Sequence, residues 1–236
     1  MKNLTSLVSC IVLLFIFSDS AAQDKQISVS AVDRTNLNDW LNDVKSEGLY
    51  LRSVRKEMDK IDGNPYLSRD FMDGMFILND GKEFRGPLRY NIYAQEIEFE
   101  TPQGDICTFS DPGDVKVITI NDRNFIYAPD NATGKKTYYE VLLTGEVSLL
   151  CHMNVIFEQP QSAGPYQSAR PPRFIQKPDR FYLMTGENIT PVKKISKMLT
   201  VFPDHQDELT QYIKNEKINM REAEDVLRVV RYYKSL

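Results

Sequence analysis

From about residue 67 to residue 158 the chain runs in short apolar-rich segments, and between them stand turn residues. Leu88-Arg89-Tyr90-Asn91-Ile92-Tyr93 and Glu96-Ile97-Glu98-Phe99-Glu100 alternate with a period of two, which turns one face to a core and the other to water. The second run puts Glu96 and Glu98 on its wet face. Asn79-Asp80-Gly81, Pro102-Gln103-Gly104, Asp111-Pro112-Gly113-Asp114 and Thr144-Gly145 read as turns, because these residue types preset φ or tolerate positive φ at little cost. Strands are expected over 75–78, 88–93, 96–100, 106–109, 115–120, 124–127, 138–143, 146–151, 155–157 and 180–184. The predicted class is α+β. A mainly antiparallel sandwich or barrel-like domain covers 60–190, and short helices follow it.

The flanks have other textures. Leu142-Leu143-Thr144-Gly145-Glu146 is echoed by Leu183-Met184-Thr185-Gly186-Glu187, which suggests two similar hairpins. The stretch 159–173, rich in Pro, Gln, Ser and Ala, reads as a surface loop. Residues 191–236 read as a helical segment packed on the β domain. Thr190-Pro191 offers one helix start, Asp204 caps a second, and Asn219 with Glu222 forms a capping-box-like start for a third. Ala223, Val226, Leu227 and Val230 are that helix's inner stripe, and Arg221, Arg228, Arg231 and Lys234 its wet side. In the lead-in, 23–59, Leu37, Trp40, Leu41 and Val44 share one face of a short helix.

The first twenty-two residues bear on where the protein works. Lys2 precedes an apolar run from Leu7 to Phe17, and Ser20-Ala21-Ala22 supplies the small residues of a cleavage site. This is the layout of a secretory signal, with a run too short to span a bilayer, so 1–22 is expected to be removed. Leu7-Val8-Ser9-Cys10 imitates a lipoprotein box, but Cys10 lies ahead of most of the apolar run. No later segment is apolar enough for a transmembrane helix. The net charge of -4 speaks against a nucleic-acid partner, which calls for a basic field. Cys107 and Cys151 remain in the exported part. An oxidising compartment permits a disulfide between them, and two buried thiols are the other reading.

The reactive residue types are sparse. Histidine occurs at His152 and His205 only. Cys151 and His152 are adjacent on an expected strand and point to opposite faces, so they form no dyad. His152 reads as a surface residue at a strand end. His205 sits in an acid-rich helix start, with too few ligands on one face for a metal. Asp111 with Asp114 belongs to a turn, and Glu96 with Glu98 to a wet face. No catalytic, cofactor-binding or metal-binding set emerges. Arg170, Arg173, Lys177 and Arg180 form a basic stretch threaded with prolines. With Tyr166 and Phe174 its loop could meet an acidic or polyproline-recognising partner, or be a plain solvated linker.

Gly63-Asn64-Pro65-Tyr66-Leu67, Phe71, Gly74 and Pro87-Leu88-Arg89-Tyr90-Asn91-Ile92-Tyr93 resemble a group of exported proteins of Bacteroides-type bacteria. Phe125-Ile126-Tyr127, the Thr-Gly-Glu hairpin with Val147-Ser148-Leu149-Leu150, and the ending Glu224-Asp225-Val226-Leu227 to Tyr232-Tyr233 fit the same pattern, over roughly 60–236. The group has no assigned activity, so no functional residues carry over. The resemblance implies a Gram-negative cell and a periplasmic or outer-envelope location. The expected function is a non-catalytic envelope module that binds or interacts with an envelope protein or a glycan. The alternative is a hydrolase of glycans or peptides using carboxylates, and a third option is self-association through an exposed sheet edge.

Overall fold

The computed structural model describes residues 51–53, 61–101, 104–109, 112–131, 133–163 and 168–236. The expected signal 1–22 and the helix at 37–44 lie outside the described residues, as do Asp111 and Tyr166. Eleven strands form one sheet: β1 Leu51–Ser53, β2 Met72–Leu78, β3 Glu83–Asn91, β4 Glu96–Glu100, β5 Ile106–Phe109, β6 Val115–Ile120, β7 Arg123–Pro129, β8 Lys136–Leu143, β9 Val147–Glu158, β10 Arg173–Thr185 and β11 Asn188–Pro191. Their order is β1-β5-β4-β3-β2-β6-β7-β8-β9-β10-β11, and every pairing is antiparallel. The lead-in therefore contributes a strand, β1, that its sequence did not announce.

The sheet is two meanders joined at β2, which takes β3 on one edge and β6 on the other. The first half is curled. Phe76 on β2 and Phe109 on β5 are three strands apart, about 14 Å in a flat sheet, yet their ring centroids are 5.0 Å apart. Phe99 joins Phe109 at 5.5 Å. Across the halves, Tyr90 of β3 meets Phe125 of β7 at 5.4 Å and Tyr138 of β8 at 5.8 Å. The buried side chains of both meanders thus belong to one core.

Among the described residues three short helices follow the sheet: α1 Ile195–Leu199, α2 Gln206–Asn215 and α3 Ala223–Tyr233. Met198, Leu209, Ile213, Val226, Val229 and Val230 project into the same core. Pro191 does not open a helix. Thr190 and Pro191 are the last residues of β11, paired with Leu183 and Tyr182, and α1 starts only after Lys194. Pro cannot donate to a ladder, but the end of an edge strand asks nothing of its nitrogen. Pro203 instead opens a 3-10 turn, Pro203–His205, that leads into α2. The N-cap of α3 is Glu222; Asn219 accepts from the Arg221 N–H while its own N–H donates to Asp225.

The segment 61–71 straps the halves together. The Phe174 N–H donates to the Asp62 carbonyl (2.8 Å), Tyr93 to Pro65 (3.1 Å) and Leu67 to Tyr90 (2.9 Å). Beneath it the wet-face expectation for Glu98 fails. Glu98 is fully buried, accepting from Arg89 Nε (3.1 Å), Arg89 Nη2 (2.5 Å) and Asn91 Nδ2 (2.8 Å). The guanidinium of Arg89 lies 3.9 Å from the Tyr66 ring and 4.4 Å from the Phe71 ring, and Nη1 donates to the Arg69 carbonyl. The strap covers this face of the sheet, and the alternation of β4 carries no sign of a cover supplied by distant residues.

Candidate functional site

The irregular middle of β10 builds the site. Lys177 pairs with Asn154 and Arg180 with His152, so Pro178 and Asp179 together face the single residue Met153. Proline cannot continue the ladder, and one extra residue makes a bulge, a device that re-aims side chains. Pro178 and Asp179 leave the ladder, and Asp179 and Arg180 line a cleft of about 180 Å³. Buried Phe181, Tyr182 and Val192 line it, with Pro191 and Met220 half-buried beside them; Phe181 and Val192 belong to the main core and Tyr182 to the cluster on the other face. The exposed rim carries Asp179, Arg180, Lys193 and Arg221. Among the described residues none of these three cations is in an ion pair with a carboxylate.

Behind the bulge lies a second layer. Arg123 clamps Glu140 through Nε (2.6 Å) and Nη2 (2.5 Å), and Glu140 is nearly buried. Asp179 stands above the usual carboxylate range, first because part of it is desolvated and then because Glu140 repels it; Arg123 acts in the opposite direction. Burial, with Asp179 and Glu140 nearby, also pushes the Cys151 thiol far up, which makes it a poor nucleophile.

Cys151 and His152 do face opposite ways. Cys151 belongs to the main core, while His152 meets Tyr139 (5.8 Å) and Tyr182 (6.5 Å) on the other face. His152 is half-buried in mid-strand, not at a surface strand end. The neighbouring apolar cluster of Tyr139, Leu150, Tyr182 and Ile189 accounts for this. Here β8 and β9 part, and Gln95, held at a φ of 57°, enters the gap. Its Nε2 donates to the Ile92 carbonyl (2.6 Å) and, longer, to Met153 (3.4 Å). Its Oε1 accepts from Tyr90 (3.0 Å) and from Thr137. The Thr137 hydrogen is thereby committed, so the 3.2 Å contact with His152 requires the hydrogen on Nε2 of the imidazole. Nδ1 and the Tyr139 hydroxyl are buried, and among the described residues neither has a hydrogen-bond partner. Burial, and then Arg180, lower the basicity of His152.

The residues singled out in the sequence fall elsewhere. Cys107 lies on β5 and Cys151 on β9, and the two share no disulfide. In the loop, Gln161 and Arg170 exchange backbone hydrogen bonds, and Arg170 is exposed. Arg173 pairs with Glu158 at 2.9 Å. Phe174 is not offered to a partner: it is buried, with Tyr93 at 5.1 Å and Phe157 at 5.3 Å. Of the basic stretch only Arg180 reaches the cleft. Lys193 and Arg221 come from segments that sequence alone gave no reason to join, and Pro178 inside a strand-like run was the one local sign of the bulge.

Among the described residues no group of three or more His, Cys, Asp or Glu side chains could hold a metal ion. No helix among them is long and apolar enough to cross a membrane. No family model matches the chain, and neither does any curated protein or solved structure.

Proposed function

We propose that this is an exported protein of the cell envelope that acts by binding, and that the cleft at the β10 bulge receives an anionic group of its ligand. The observation that carries the reading is the rim. Arg180, Lys193 and Arg221 line one partly apolar cleft, and among the described residues none of them is in an ion pair, on a chain whose net charge is -4. Cations gathered at a concave, partly apolar surface focus field and attract an anion. Export, the envelope address and the likeness to Bacteroides-type proteins rest on the leader and on the residues quoted above. The hydrolase alternative would need two available acids at the cleft. Asp179 is available, but Glu140 gives both oxygens to Arg123, so the geometry favours binding.

Thermal-shift and calorimetric titration of residues 23–236 with small carboxylates tests this reading. Carboxylates with a short apolar body should stabilise the protein, and Lys193→Glu with Arg221→Glu should abolish the effect. Equal response of wild type and variant would refute the assignment of the cleft. In cells, the protein should fractionate with the envelope and begin at Gln23.

A further inference from the structure

We propose that the ligand of this cleft is dipolar, a free α-amino acid with an apolar side chain, its carboxylate held by the Arg180, Lys193 and Arg221 rim and its ammonium by Asp179. This deepens the anion-binding reading and rests on it. The rim is not uniformly basic: Asp179 stands among the cations, and among the described residues it too has no ion-pair partner. A cleft built for a simple anion would gain nothing from a carboxylate at its mouth, since like charge repels the ligand.

The surroundings of Asp179 explain why it is ready for a cation. It is partly desolvated and faces Glu140, whose own charge is already taken up by Arg123. Arg123 relieves Asp179 only in part, because burial and Glu140 outweigh it, and a cation brought by the ligand would add to that relief. Asp179, in the bulge, and Arg180, the next ladder residue, both line this small cavity. A cavity of about 180 Å³ is below the usual range for drug-sized ligands and suits a molecule of this size. Phe181, Tyr182, Val192 and Met220 supply an apolar surface for a side chain and no further charge.

The experiment is isothermal titration of residues 23–236 with three probes: L-leucine, N-acetyl-L-leucine, which keeps the anion and loses the cation, and 3-methylbutylamine, which does the reverse. L-leucine should bind at least about tenfold more tightly than either single-charge probe, the scale of one charge-assisted contact. Asp179→Asn should weaken L-leucine about tenfold and bind N-acetyl-L-leucine no more weakly than wild type does, since it removes a like charge. Arg221→Gln, at an exposed position, should weaken both. If N-acetyl-L-leucine matches L-leucine and Asp179→Asn changes neither, the dipolar ligand is refuted while the anion site stands. If the amine alone binds as tightly as L-leucine, or no probe binds, both readings fall.

Discussion

Glu98 shows what a single buried charge does in this fold. It is fully enclosed and holds the inner end of Arg89, whose outer face is covered by Tyr66 and Phe71. Glu98→Ala leaves a guanidinium buried without its anion, and the expected loss is about 3–5 kcal/mol. Replacing both partners, Arg89→Met with Glu98→Leu, should cost much less, since no lone charge is left inside. Urea midpoints of the three proteins test this, and a double variant no more stable than the single one would refute it. His152 gives a prediction in pH. Its basicity is lowered in the folded protein, chiefly by burial and then by Arg180, with Asp130 opposing. The unfolded state therefore binds the proton more readily, near pH 6.5. Stability is intact above that value and falls as the solution is acidified through it. Urea midpoints between pH 5 and 7.5 should climb more steeply for wild type than for His152→Gln; parallel curves would contradict the burial argument.

At the scale of elements, the strap depends on Gly63. Its φ is +84°, and a Cβ there would stand 2.2 Å from the Phe174 carbonyl oxygen. Gly63→Ala should lift the strap from β10, and hydrogen exchange should show lost protection at the Phe174 amide, which donates to Asp62. Unchanged protection there would show that the strap is held by other contacts. Much of the sheet was legible in sequence because strand texture is local. The β4, β5 and β6 boundaries coincide with the alternating runs at 96–100, 106–109 and 115–120. The long strands were less so: β9 runs unbroken from Val147 to Glu158, where the pattern suggested two pieces. The Thr-Gly-Glu echo does mark two hairpins. They close differently, however: Thr185 pairs with Asn188 around two residues, while the last β8–β9 pair is Leu143 with Leu149. The site was least legible. Arg180, Lys193 and Arg221 come to line one cleft through the bulge and the approach to α3, and neither leaves a periodic trace.

At the largest scale, the shared core implies that the described residues form one cooperative unit. Side chains from both meanders and from the three described helices pack in the same cluster. Denaturation followed by tryptophan-independent probes, far-ultraviolet dichroism and tyrosine absorbance, should give coincident transitions, and separated transitions would show that the halves unfold independently. Thiol chemistry belongs to the same scale. Cys107 and Cys151 lie on strands far apart in the sheet order. Alkylation of residues 23–236 in denaturant without reductant should label both, and protection of both would show that the two thiols are bonded to each other.

The central place of β2 bears on how the chain is made. A ribosome or a translocation pore delivers β2 through β5 before β6 exists, so Met72–Leu78 finds its first neighbour at once and its second only some forty residues later. Until then the nascent half presents an apolar ribbon with one row of amides unanswered, the surface on which chains stick to one another. A holding chaperone, or simply rapid delivery of Val115–Ile120, is what this architecture asks of the cell that makes it.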